Sequence, residues 1–195
     1  FGPTQLAFHK NGPHILTTGM QMLLDERDDF VFLKTDLVNA HNCFERRAPL
    51  DWLRGFEGGR FAFLLPFFRS MYASHPRLYD RMGVLCTSKT GGAQGCRTTV
   101  LCFCLAIKSA LERADAALAA EGGCIRASHD DSVMCGPPEL VLRTFLTLAT
   151  ELRAVGLQIG IPKCALLAID DGARAAAGTA VPALRAEEVV SRNAA

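Results

Sequence analysis

A chain of 195 residues with 49% hydrophobic and 21% charged residues is globular rather than disordered, and long enough for one sizeable core or two small ones. A formal net charge of +1 gives no argument by itself for a polyanionic partner, and no apolar run approaches the roughly 18 residues of a membrane span, so no membrane contact is expected. No basic-then-apolar leader is present, and the start at Phe1 without a methionine is read as a piece cut from something longer.

Residues 12–24 set Ile15, Leu16, Met20, Leu23 and Leu24 at helical spacing, and the charged run 25–29 closes that helix. Residues 30–35 then read as a short buried strand ending at Asp36. A turn over 39–45 leads into a helix over 46–54, and the break at Gly58-Gly59 precedes a helix-compatible apolar stretch over 61–72. Strands are predicted at 77–81 and 84–87, and a glycine-containing loop at 89–95 opens a helix over 98–120. Residues 124–128 and 132–135 form the arms of a hairpin around His129-Asp130-Asp131. Pro137-Pro138 opens a helix that runs to Val155 and ends at Gly156. A last hairpin, 157–161 with 165–169, carries Lys163, and an alanine-rich tail of low information follows from Asp170. This alternation predicts an α+β fold, with helices packed on one face of an antiparallel sheet.

The eight cysteines include no C-x-x-C and no paired Cys/His spacing, which argues against zinc and for a reducing, intracellular setting. Nucleus and cytoplasm remain equal alternatives. Charge is unevenly spread: residues 43–97 hold nine Lys/Arg against four Asp/Glu, a local +5 that leaves −4 for the remainder. A basic middle suits a phosphate-facing groove, although such runs are more often a solvated face.

Asp-Asp occurs three times, at 28–29, 130–131 and 170–171, and two of these sit in polar, turn-like surroundings. Asp130-Asp131 alone is bracketed by apolar arms, which hold two carboxylates at a tight turn. Like charges that close raise each other's pKa unless a cation is present, and hard Mg²⁺ prefers carboxylate oxygens. Asp36, at the end of a buried strand, is the natural third carboxylate for two ions about 4 Å apart.

These residues also sit in a recognisable order. The run Phe32-Leu33-Lys34-Thr35-Asp36-Leu37-Val38-Asn39-Ala40-His41-Asn42 resembles the first palm motif of reverse transcriptases, a strand ending in Asp followed by x-x-N-A-F-N. Gly91-Gly92-Ala93-Gln94-Gly95 is similar to the second, Ser128-His129-Asp130-Asp131 to the third (usually Y-x-D-D), and Gly156-Leu157-Gln158-Ile159 with Lys163 to the fourth. The nearest style is that of non-LTR retrotransposon and group-II-intron-like enzymes.

The resemblance implies a polymerase palm over residues 1–169, without fingers or thumb, followed by the tail at 170–195. It implies an RNA-directed DNA polymerase that takes an RNA template, a DNA primer and dNTPs. Asp36, Asp130, Asp131 and the Leu37 carbonyl would hold two Mg²⁺ ions, with Mn²⁺ as the alternative metal. Gln94 and Gly95 would line the template and nucleotide pocket, and Lys163 would stand near the leaving pyrophosphate. A surface turn for Gln94-Gly95 and a snorkelling lysine for Lys163 are the bland alternatives. His41 falls where the family carries the aromatic that excludes a ribose 2′-hydroxyl; its ring can block by bulk or hydrogen-bond instead. Asn39 and Asn42 shape the turn. Cys96-Arg97 and Ser128 depart from the pattern, which leaves a decayed retroelement remnant as the competing reading and an RNA-dependent RNA polymerase as a lesser one.

Overall fold

The computed structural model describes residues 2–72 and 75–180. The described chain forms two compact units, one built from the residues before Asn39, Lys108–Ala154 and the segment from Gln158 onward, the other from Asn39–Ile107 with Val155–Leu157.

The first unit holds the sheet. Helix α1 (Gly12–Glu26) leads to β1 (Val31–Thr35), β4 (Cys124–Ser128) and β5 (Asp131–Gly136) form a hairpin, and β6 (Ala165–Ala168) completes four strands in the order β4-β5-β1-β6. Every neighbouring pair is antiparallel, with Leu33 opposite both Met134 and Leu166. Alternation along the strands sends Leu33, Ile125 and Met134 into a fully buried face. Helix α6 (Pro138–Ala154) packs on β1 and β5, and α7 (Asp171–Ala180) on β1, β6 and α6. The opposite face is covered in part by α1, whose Met20, Leu23 and Leu24 pack against Phe30, Phe32 and Cys135. Full burial of a residue such as Met134 contributes about 1.5–3 kcal/mol.

The second unit is helical with one hairpin: α2 (Ala40–Cys43), α3 (Arg47–Gly55), α4 (Leu65–Tyr72), then β2 (Arg77–Asp80) and β3 (Gly83–Thr87). Phe44, Phe68 and Phe103 are its fully buried aromatics, and the Phe44 and Phe103 rings lie 6.3 Å apart. Helix α5 (Arg97–Ala119) begins in this unit and ends in the sheet unit.

Most predicted elements form within a few residues of their expected bounds. The stretch over 61–72 is a 3₁₀ turn (Ala62–Leu64) followed by α4, with Pro66 in the first turn where its missing N–H costs nothing. The last predicted hairpin does not form. The Val38 amide donates to the Gln158 carbonyl (2.8 Å) and the Gly160 amide to the Asp36 carbonyl (2.8 Å), so residues 158–160 extend the edge of β1 instead. Pro162, which cannot donate, sits in a 3₁₀ turn over Ile161–Lys163, and β6 pairs with β1. The alanine-rich tail is also more than featureless sequence: its first part is α7, with Ala173 buried, while 181–195 lie outside the described residues. Among the described residues no helix is long and apolar enough to cross a membrane.

Candidate active site

The residues expected to hold metal all lie in the sheet unit. Thr35 is paired with Ser132 across β1 and β5, and their buried hydroxyls are 2.5 Å apart. Asp36 directly follows Thr35, and Asp131 directly precedes Ser132. Ser128 pairs with Asp131 in turn, which leaves His129 and Asp130 as the two-residue loop of the β4–β5 hairpin. His129 has φ +58°, a left-handed backbone conformation within this two-residue turn. The carboxylates are therefore staged by three different devices: Asp36 ends a strand, Asp130 occupies a turn, and Asp131 opens the next strand.

Their surroundings are cationic. Lys34 Nζ lies 3.3 Å from Asp131 Oδ1, and Lys163 Nζ lies 3.4 Å from Asp36 Oδ2. Asp36 Oδ2 is buried and has no hydrogen-bond partner, so the ammonium of Lys163, itself largely exposed, is its nearest compensation. Gly160 stands beside it, and a Cβ there would lie 3.4 Å from Oδ2. A buried carboxylate oxygen without a donor is the chemistry that a hard cation satisfies. The Leu37 carbonyl is left outside the bridge to Ile159, which uses the Asp36 carbonyl and the Val38 amide. The carboxylates of Asp36, Asp130 and Asp131 and the Leu37 carbonyl are oxygen donors, the type that a hard divalent ion takes. Among the described residues, however, no three Asp, Glu, His or Cys side chains converge on one point. Asp131 and Asp36 are instead each paired with a lysine, Lys34 and Lys163 respectively.

Two of these groups are new relative to the sequence reading. Lys34 could have been found: it lies two residues before Asp36, and period-two alternation puts both on one face of β1. Gln5 could not. Its fully buried carboxamide accepts from the His129 amide (3.0 Å) and donates to the His129 carbonyl (3.1 Å), across 124 residues of chain.

The other predicted site residues belong to the helical unit. Gln94 and Gly95 are exposed and form a tight turn, closed by the Cys96 amide donating to the Ala93 carbonyl (3.2 Å). Gly95, at φ +81°, occupies the position of a type II turn that needs a left-handed residue. Cys96 then precedes α5, and backbone amides at Thr99 and Thr98 stabilise its thiolate and lower its pKa from the ordinary thiol value. Upstream, the amides of Gly91 and Gly92 donate to the carbonyls of Phe44 and His41, both at 2.8 Å. Arg46 holds the same loop through the Gly91 carbonyl (2.7 Å) and the Ser88 hydroxyl (2.9 Å).

His41 lies on α2 with its ring 4.9 Å from that of Phe103, and its Nε2 is buried without a hydrogen-bond partner. Asn39, at φ +48°, initiates α2 in a conformation that asparagine tolerates better than most residues. The basic middle of the chain acquires a location as well: Arg46, Arg47, Arg54 and Arg69 line a cavity of about 520 Å³ with Leu50 and Tyr72. Arg47 and Arg54 share Asp51, so the positive excess there is partly compensated.

No family model matches this chain, and no curated protein matches it. Solved structures do. Telomerase from Candida albicans, in complex with a TWJ fragment of telomeric RNA, superposes with a TM-score of 0.62 at 13% identity, over 87% of this chain and 32% of that one. Telomerase from Candida tropicalis with the same kind of RNA fragment gives 0.60 at 12% identity, over 84% and 30%. Its apo form gives 0.57 at 14% identity, over 79% and 31%. The chain spans about a third of these relatives, and at such identities the likeness is one of fold: an α+β, reverse-transcriptase-like fold.

Proposed function

We propose that this chain is the palm of an RNA-directed DNA polymerase, of the non-LTR retrotransposon or group-II-intron-like kind, and that it carries the catalytic centre for template-directed nucleotidyl transfer. The observation that carries the reading is the buried Asp36 Oδ2, which has no hydrogen-bond partner and directly follows β1, the strand paired with the β5 that opens at Asp131.

Asp36, Asp130, Asp131 and the Leu37 carbonyl would hold two Mg²⁺ ions, or Mn²⁺ in their place. When bound, such ions supply charge neutralisation for the triphosphate and activation of the attacking hydroxyl. The remaining work falls to protein groups. Lys163, paired with Asp36, would offer its charge or a proton to the leaving pyrophosphate. Gln94 and Gly95 line the template and nucleotide pocket through an exposed turn whose backbone can approach a base closely. His41 takes the place of the sugar-gating aromatic. The arginines around the cavity between α3 and α4 meet phosphates of the RNA template or the DNA primer.

One observation favours a second reading. The lysine-paired carboxylates of Asp36 and Asp131, with no convergence of three ligands among the described residues, suit a remnant that keeps the palm fold and binds RNA without turnover.

Primer extension by the full-length protein separates the readings. The expected result is Mg²⁺-dependent incorporation of dNTPs on an RNA template that is abolished in Asp130→Ala. Extension unaffected by that substitution, or none with either metal, overturns the polymerase reading. Incorporation of rNTPs in preference to dNTPs would instead identify an RNA-dependent RNA polymerase.

A further inference from the structure

We infer that Gln5 is a positioning residue for the Asp130-Asp131 turn, acting through its two hydrogen bonds to the His129 backbone. The inference rests on the reading of that turn as part of a polymerase centre.

Gln5 is fully buried, and a buried carboxamide must find partners for both its N–H groups and its oxygen. Its Oε1 accepts from the amides of His129 (3.0 Å) and Ala7 (3.1 Å), and its Nε2 donates to the His129 carbonyl (3.1 Å). The backbone on either side of Gln5 is tied down independently. The Ala127 amide donates to the Thr4 carbonyl (2.8 Å), and the Leu6 amide donates to the Ala127 carbonyl (2.7 Å). Residues 4–6 therefore run alongside β4 as a short parallel pairing, which delivers the Gln5 side chain in one place.

The two atoms that it grips belong to different peptide planes. The His129 N–H lies in the plane before His129, and the His129 C=O in the plane that continues into Asp130. Between them stands a non-glycine residue at φ +58°, a conformation seldom adopted by a residue with a side chain. Gln5 thus holds both planes flanking the strained residue, and the second plane sets the direction from which the Asp130 carboxylate leaves the backbone. A displacement of about 1 Å at such a centre can cost on the order of 10²-fold in rate.

The test uses the full-length protein with two substitutions. Gln5→Met keeps side-chain length but removes both bonds. Gln5→Glu keeps an acceptor for the His129 and Ala7 amides but loses the donor to the His129 carbonyl. Gln5→Met is expected to lower kcat for primer extension by roughly 10–100-fold, while nucleotide KM and template affinity stay within about threefold. Mn²⁺ binding, read by electron paramagnetic resonance, should weaken by about tenfold, and the His129 amide should exchange faster with solvent. Gln5→Glu should keep His129 amide protection and still lose kcat.

A folded Gln5→Met protein with unchanged kcat overturns the inference, and so does a kcat loss that vanishes below the variant's unfolding temperature. If Gln5→Met does not fold, an unchanged kcat in Gln5→Glu overturns it. If the unsubstituted protein extends no primer, the polymerase reading has failed separately. Gln5 is then judged by Mn²⁺ affinity and His129 exchange, and no change in either refutes its role.

Discussion

Gly91 and Gly95 lie in the same loop, both at positive φ, and alanine at each should have very different consequences. At Gly95 (φ +81°) nothing lies within 4 Å of an added Cβ, so Gly95→Ala suffers only the left-handed backbone penalty, about 1–2 kcal/mol. At Gly91 (φ +54°) the same penalty applies, but the Cβ would meet the Asn42 carbonyl carbon at 2.3 Å and the His41 carbonyl oxygen at 2.4 Å. The loop must then move off α2, losing the bond from the Gly91 amide to Phe44 and the charged bond from Arg46 to the Gly91 carbonyl. A neutral bond contributes about 0.5–1.5 kcal/mol and a charged one about 1.5–3, which brings Gly91→Ala to about 3–6 kcal/mol. Urea unfolding followed by circular dichroism reads both costs. Two variants that differ by less than about 0.5 kcal/mol would refute the claim that the loop is held by close approach rather than by φ alone.

Three further outcomes follow from the geometry. Lys163→Met removes the only cation near Asp36 Oδ2 among the described residues, so Mn²⁺ affinity should rise about two- to fivefold, as for an exposed pair; a fall would show that Lys163 assists ion binding. Cys124, whose sulfur lies 3.5 Å from that of Cys135 and near Arg126, has its thiol pKa lowered by the hydrogen bond from Cys135 and then by the Arg126 charge. Its alkylation by iodoacetamide should therefore have its midpoint below that of an ordinary thiol and fade as pH falls through it, whereas Cys135→Ala should move the midpoint up; an unmoved midpoint contradicts the assigned cause. Thr35→Val and Ser132→Ala should each cost about 1–3 kcal/mol by stranding a buried hydroxyl, and the double variant should cost at least about 1 kcal/mol less than their sum; strict additivity would mean that the pair does not interact.

Local chemistry was readable wherever a single stretch of chain decides the outcome. The apolar run before Asp36 had to be a buried strand, and the apolar arms around Asp130-Asp131 had to turn tightly. The glycines at 91 and 95 marked a loop; in the structure both have left-handed φ, and Gly91 alone also needs the space of a missing Cβ. Where two partners could satisfy the same residues, the reading ran out. Residues 157–161 have the pattern of a strand, but whether they pair with 165–169 or with β1 depends on which edge is open, and residues 36–38 offered one. Likewise, the alanines after Asp171 gained their order as α7 from α6, β6 and β1, none of which is local to them.

The carboxylates mark the same boundary. Asp36, Asp130 and Asp131 can be named from sequence, because a strand end and a two-residue turn are short-range features. Their arrangement cannot, because it is written in contacts between distant segments. The Thr35–Ser132 hydroxyl pair spans 97 residues, the Gln5 clamp spans 124, and the ammonium groups of Lys34 and Lys163 reach carboxylates on other elements. Hydrogen bonds and ion pairs are short in space and indifferent to sequence separation, so residue types announce the chemistry and only the folded sheet decides how it is held.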